Sequence, residues 1–206
     1  MKKIDKEGNF MTLEGKRIGF GLTASHSTYH KVFPQIEKLV AEKAEVVPIV
    51  TYTVQNTDTR FGKAKDHIKK IETITNRKVI STIPEAEPLG PKEPLDCMVI
   101  APLTGNSLSK MANAMSDSPV LFAAKSTIRN QCPVVLGIST NDALGLNGVN
   151  LMRLMTTKHI YFIPFGQDDP DNKPNSLISD MDRLVQTVKA ALQKKQIQPV
   201  IVPYIK

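Results

Sequence analysis

Short, continuous apolar runs alternate along the chain with longer stretches in which apolar residues recur every three or four positions. The runs RIGFGL (17–22), EVVPIVT (45–51), KVIST (78–82), DCMVIAP (96–102), PVVLGIS (133–139) and HIYFIP (159–164) have little alternation of polar and apolar residues. That is the pattern of strands covered on both faces. Between them, residues 29–44, 62–74, 120–130, 148–157 and 179–194 carry helical spacing, as does the stripe Leu108, Met111, Ala112, Met115. Pro34 falls within the first of these, where it is tolerable only near the first turn. The stretch with Pro84, Pro88, Pro91 and Pro94 reads as a loop, and GQDDPDNKP as an acidic loop before the last helix. The pattern predicts an α/β fold: a three-layer αβα arrangement around a doubly wound, six-stranded parallel sheet of Rossmann-like type. In that order the first and fourth strands lie side by side, and the loops leaving them face each other across a crevice.

No repeat or low-complexity linker divides the chain, so residues 15–206 are expected to form one domain after a charged, mobile leader over residues 1–14. That leader has no apolar core of the kind a secretory signal needs. No apolar run approaches the ~18 residues of a membrane span, so no membrane is expected as a partner and the cytoplasm is the default location. The composition, 41% hydrophobic and 23% charged over 206 residues, is that of a globular protein with a substantial core.

Cys97 and Cys132 lie in apolar runs and read as free thiols in a reducing compartment. His26 and His30 stand four apart, a spacing that can hold a metal, but no neighbouring acid or thiol completes a ligand set. No metal site is expected. The net charge is +7, distributed over Lys2, Lys3, Lys63, Lys65, Lys69, Lys70, Arg77, Lys78, Lys194 and Lys195. With 5% aromatics and no Trp there are no stacking platforms for nucleic acid, so none is expected as a partner. The charge reads as solvated helix faces, or as a field favouring anionic small molecules.

Three predicted loops carry the candidate chemistry. GLTASHS (21–27) offers Gly21 for a tight exit from the first strand, then Thr23, Ser25 and Ser27 ahead of a helix. Backbone N–H groups and the dipole at such a helix start can bind phosphate, although the same hydroxyls can simply cap the helix. The loop is neither a dinucleotide glycine fingerprint nor a P-loop. PLTGNS (102–107) adds Asn106, whose amide can donate to and accept from one ligand edge, or can serve as a turn or cap residue. STNDALGLNG (139–148) adds Asn141 and Asp142 as a third lip.

The order GLTAS, APLTGN…LSKMANAMSD, VVLGISTN resembles the homo-oligomeric flavoprotein family that includes FMN-dependent cysteine decarboxylases and flavin prenyltransferases. The family's first loop, GITGS, is matched at Gly21, Thr23 and Ser25, with Ala24 in place of a Gly. Its flavin motif PASANT is matched at Pro102, Asn106 and Ser107, with Leu103, Thr104 and Gly105 between. Its substrate motif PAMN falls on Ile138, Ser139, Thr140 and Asn141, where only the Asn is kept. The resemblance implies FMN held by Gly21, Thr23, Ser25, Pro102, Thr104, Asn106, Ser107 and Asn141. The decarboxylases' catalytic His has no counterpart in EAEPLGPKEPLD (85–96), so an active cysteine decarboxylase is not expected and no catalytic residue is assigned.

Within that family, EAEPLGP, APLTGNSLSKMANAMSD, STNDALGLN, YFIPFGQDDPDNKPNSL and QIQPVI resemble the B-subunit group of bacterial dipicolinate synthases, from about Gly15 to Ile201. This resemblance implies a sporulation oxidoreductase, located in the cytoplasm of the mother cell, in which the B subunit acts with an A subunit. The pair oxidises dihydrodipicolinate to dipicolinate (pyridine-2,6-dicarboxylate), with NADP on the A subunit and the B subunit homo-oligomeric. Removing two hydrogens aromatises the ring, so a cofactor takes the hydride and the protein positions the substrate. The two carboxylates suit Arg or Lys partners, for which Lys125 and Arg129 are put forward from a set that also holds Lys110, Arg153 and Lys158. The alternative is a flavin- or phosphate-binding accessory subunit without chemistry of its own. Met111, Met115, Met152 and Met155 read either as core or as part of an oligomer contact.

Overall fold

The computed structural model describes residues 12–203. Strands β1 (Arg17–Leu22), β2 (Glu45–Val50), β3 (Cys97–Leu103), β4 (Val134–Thr140), β5 (Ile160–Phe162), β6 (Phe165–Gly166) and β7 (Leu177–Ser179) form one sheet. Its order is β2-β1-β3-β4-β7-β6, with β5 also paired to β4. The pairs β1–β2, β1–β3, β3–β4 and β4–β5 are parallel. The expected fold class stands, and so does its central consequence: the first strand and the strand after the Pro-rich stretch are neighbours, with Ile18 opposite Cys97 and Gly21 opposite Ile100.

The sheet has seven strands rather than six, and they are not the expected set. The run at 78–82 does not become a strand. Only Ile80 bridges to Ile49, its N–H donating to Pro48 O at 2.9 Å while Val50 N–H donates to Ile80 O at 3.0 Å. The next bond of a parallel ladder would come from the N–H of residue 48, and Pro48 has none. At the other edge, β4 pairs with β5 over Val134–Leu136 and then with antiparallel β7 over Ser139 and Thr140. The acidic loop thus closes the β6–β7 hairpin instead of leading directly into a helix.

Helices α1 (Tyr29–Ala41), α3 (Ala64–Thr75) and α8 (Leu184–Leu192) cover one face, packing Val32, Ile36, Ile71 and Val188 against Ile18, Phe20, Val99 and Val135. Helices α5 (Gly105–Ala112), α6 (Pro119–Arg129) and α7 (Gly148–Met155) cover the other, packing Leu108, Val120, Ala124 and Leu151 against Met98, Ile100 and Leu136. Two short helices, α2 (Tyr52–Asn56) and α4 (Ile83–Ala86), were not legible as periodic segments. α4 lies in the Pro-rich stretch and starts on a capping box between Thr82 and Glu85, with Pro84 in its first turn.

Four expectations change on the structure. Pro34 lies well inside α1, on its exposed side, where the carbonyl left without a donor can turn to water. Gly21 is an interior residue of β1 and makes no turn: a Cβ there would stand 2.7 Å from Val120 Cγ1, so its smallness admits α6 close to the sheet. The last helical pattern begins later, after β7 and a 3-10 turn at Met181–Arg183. Residues 1–11 of the expected leader lie outside the described residues; of the rest, Leu13 is not mobile but fully buried in the core.

Candidate functional site

β1 and β3 end beside each other, and a single hydroxyl ties their exits together. Thr23, 1% exposed, donates from Oγ1 to Pro102 O at 2.6 Å and accepts from Thr104 N–H at 3.0 Å. Tyr29 Oη then donates to Thr23 O at 3.0 Å, and burial holds that phenol far above its ordinary value, so it stays a donor. Thr23 and Pro102 therefore shape the crevice from behind, with their polar atoms already engaged.

In front of them three hydroxyls converge from two loops. Ser139 Oγ lies 2.8 Å from Ser25 Oγ and 2.8 Å from Thr28 Oγ1, and the latter two are 3.3 Å apart. Ser139 is the penultimate residue of β4, so the start of the expected third lip does meet the first. Thr104 is the N-cap of α5, its Oγ1 accepting from Ser107 N–H at 3.4 Å and donating to Ser107 Oγ at 3.2 Å. This settles one open alternative, because with the cap role filled by Thr104, Asn106 sits inside the first turn. Asn106 is exposed, and among the described residues its side chain has no hydrogen-bond partner.

The crevice holds about 440 Å³, bordered by Ser25, Ser27, Asn106, Ser139, Asn141 and, from the β6–β7 loop, Lys173. A second hollow of about 360 Å³ shares Ala24, Thr104 and Asn106 and extends to Thr51, Tyr52 and Lys110. Asn106 stands where the two meet. The floor is held by Asp142, which accepts from Thr140 Oγ1 and, at 2.7 Å, from Asn147 Nδ2. Gly105 is pressed on this network: a Cβ there would lie 2.5 Å from Asp142 Oδ1 and 2.6 Å from Thr140 Oγ1.

Of the sequence-derived residues, Thr23, Ser25, Pro102, Thr104, Asn106, Ser107 and Asn141 gather at this end of the sheet, while Gly21 lies one layer beneath. Lys125 and Arg129 do not join them. Lys125 borders a small apolar hollow with Met111 and Met115, and Arg129 a groove with Pro84 and Pro91. α6 starts beside the second hollow, at Ser118 and Leu121, and then runs away from it. Neither Lys125 nor Arg129 borders the crevice or the second hollow. Arg153 is also committed elsewhere, donating to Ala112 O at 3.2 Å and Asn113 Oδ1 at 2.9 Å.

Thr28, Asp168 and Lys173 were missed. Thr28 was readable as one more hydroxyl of its loop, whereas Asp168 and Lys173 arrive only through the antiparallel hairpin. His26 and His30 diverge: His30 Nδ1 sits 2.7 Å from Ser27 O, while His26 packs its ring 5.1 Å from Tyr29 and 5.6 Å from His67. Burial pushes both His26 and His67 below their ordinary values, and among the described residues each leaves a buried Nε2 without a partner. Among the described residues no three His, Cys, Asp or Glu side chains are grouped to hold a metal. Cys97 and Cys132 are free thiols. No helix among the described residues is long and apolar enough to cross a membrane.

The family model described as Flavoprotein matches residues 9–194. The B subunit of dipicolinate synthase from Bacillus subtilis (strain 168) is 68% identical over 191 residues, which is 93% of this chain and 96% of that one. The crystal structure of the dipicolinate synthase B subunit from Bacillus halodurans C superposes with a TM-score of 0.88 at 61% identity, covering 95% of this chain and 100% of that one. A more distant structure, the FMN-dependent cysteine decarboxylase SpaF, shares the fold with a TM-score of 0.61 at 18% identity, over 88% and 98% of the two chains.

Proposed function

This chain belongs to the Flavoprotein family, and from that premise we propose that it is the B subunit of a dipicolinate synthase. With an A subunit it oxidises dihydrodipicolinate to pyridine-2,6-dicarboxylate during sporulation, in the cytoplasm of the mother cell. The observation that carries the reading is 68% identity to the Bacillus subtilis protein across nearly the full length of both chains.

FMN is the cofactor the crevice suits. Its residues present hydroxyls from Ser25, Thr28 and Ser139, the α5 N-terminus at Gly105 and an unpartnered amide on Asn106. Those are donors for a phosphate, a ribityl chain and a ring edge that both gives and takes hydrogen bonds. FMN, when bound, supplies the ring that accepts a hydride. The protein's own residues bind and orient: Asn106 and Asn141 face the ligand, Thr23 fixes the two loops relative to each other, and Asp142 keeps the third lip in place. NADP belongs to the A subunit in this reading. The B subunit is a homo-oligomer, an assignment supported by the exposed Leu144, Leu146, Val149 and Met152 around α7. A strictly monomeric mass in sedimentation at micromolar concentration would overturn the oligomer.

The second reading, a flavin-binding accessory subunit, is favoured by one observation. The two carboxylates that border the crevice among the described residues are engaged, Asp142 by Thr140 and Asn147 and Asp168 by Ser176 at 2.7 Å, so neither stands free as a base. Reconstitution decides between them: pyridine-2,6-dicarboxylate formation by A alone, B alone and both, with and without FMN. Product requiring both subunits and FMN supports the first reading. Product from A alone at the full rate sinks it, and a yellow but dispensable B subunit leaves the accessory role.

A further inference from the structure

The crevice borders on one cation among the described residues, and its setting is unusual. Lys173 is carried on the β6–β7 loop, whose backbone is fastened by Lys173 N–H to Asp169 O at 2.7 Å and Ser176 N–H to Lys173 O at 2.9 Å. Leu144 N–H, donating to Asn175 O at 3.0 Å, ties the same loop to the third lip. Its ammonium is not fastened. Lys173 Nζ lies 3.7 Å from Asp168 Oδ2, with the side chain 52% exposed, too long for a good charge-assisted bond. The corresponding lysine of the second hollow differs, since Lys110 Nζ is 2.6 Å from Asp117 Oδ2. Asp168 does not depend on the lysine for a partner either, because Ser176 Oγ donates to its other oxygen.

We propose that Lys173 is the specificity-determining residue for a carboxylate of the substrate, exchanging its loose contact with Asp168 for the ligand across the crevice. The inference rests on the dipicolinate synthase reading and deepens it by naming how the dianion is recognised. Asp142 and Asp168 outnumber Lys173 along the crevice, and the bonds from Thr140, Asn147 and Ser176 engage their oxygens without cancelling their charge, so a dianion gains there only by drawing on Lys173 directly. What remains for the ligand is a set of donors: Lys173, the Ser25–Thr28–Ser139 hydroxyls and the amides of Asn106 and Asn141. Such a set selects an oxyanion. Two oxyanions compete for it, the flavin phosphate and the substrate carboxylate; the α5 N-terminus and the Ser25–Thr28–Ser139 hydroxyls already suit the phosphate, which leaves Lys173 for the carboxylate.

The test uses the full chain with FMN present, in metal-free buffer, and measures binding of pyridine-2,6-dicarboxylate by calorimetry. FMN and riboflavin affinities are measured in parallel. Lys173→Gln should weaken the dicarboxylate about tenfold or more, with Lys173→Arg recovering most of the loss and FMN affinity unchanged. Asp168→Asn keeps the Ser176 bond, releases Lys173 and should tighten the dicarboxylate severalfold, and by more than the same change does in the Lys173→Gln background, an excess that loss of the Asp168 charge alone would not produce. Unchanged dicarboxylate binding by Lys173→Gln overturns the proposal. So does a loss of FMN affinity without a loss of riboflavin affinity, which would assign Lys173 to the phosphate. A wild-type chain that neither binds the dicarboxylate nor forms it with the A subunit overturns the functional reading and this inference with it.

Discussion

Thr23→Val is the sharpest perturbation of the site's scaffold. The substitution preserves the side-chain shape and removes only the hydroxyl. That hydroxyl donates to Pro102 O at 2.6 Å and accepts from Thr104 N–H at 3.0 Å, and Thr23 is 1% exposed. Two backbone groups thus lose their partner together. A buried polar group stripped of its partner costs about 1–3 kcal/mol. Pro102 is fully enclosed and takes the larger share, whereas Thr104 borders the crevice and can recruit water, which puts it at the low end. The sum is about 2–3 kcal/mol, a roughly 30- to 160-fold change in the folding equilibrium. Urea unfolding at constant m-value measures it, with Thr23→Ser as the control that restores the hydroxyl. The loops should also lose their mutual register, so FMN affinity falls in Thr23→Val and recovers in Thr23→Ser. A loss of stability below about 0.5 kcal/mol would show that water replaces the hydroxyl and that the tie is not what positions the loops.

Asn106→Asp should leave thermal melting nearly unchanged, since Thr104 and not Asn106 caps α5, while FMN titration shows binding weakened about thirtyfold or more from the lost amide donor and the added charge. Gly105→Ala drives a methyl into Asp142 and Thr140, so unfolding should show a loss of about 1–3 kcal/mol, and an unaffected protein would mean that the third lip moves freely. For pH, His26 and His67 have their pKa values lowered by burial, with His26 adding to the effect on His67. The unfolded chain then protonates first as pH falls. Stability is full above ~6.5 and declines from there down through the lowered folded values, and denaturation at stepped pH should show the decline shrinking in His67→Phe.

The repeated switch between apolar runs and helical spacing carried most of the fold, because both faces of the sheet are buried and each strand had to be apolar throughout. What it could not carry were effects that depend on a partner strand. KVIST has strand composition, but its pairing ends at a missing N–H on Pro48, a residue thirty positions away in the sequence. The β6–β7 hairpin is too short to show a period, with strands of two and three residues.

The site follows the same division. Residues on loops that leave parallel strands at one sheet end were legible, since topology alone brings Ser25, Thr104, Asn106 and Asn141 together once β1 and β3 are neighbours. Roles within the set were less legible. Thr23 has the composition of a ligand residue and acts as a tie between loops, whereas Asn106 has the composition of a cap and is left with a free amide. Lys125 and Arg129 carry the charge a dicarboxylate asks for, but their faces of α6 border other hollows, with Met111 and Met115 and with Pro84 and Pro91. Lys173 inverts that case. Nothing in its local sequence distinguishes it from any other solvated lysine, and only an antiparallel hairpin added to the end of a parallel sheet delivers its charge to the crevice. A cation for an anionic ligand is therefore better sought at this sheet end among residues brought in by tertiary pairing than among the charges nearest the motifs.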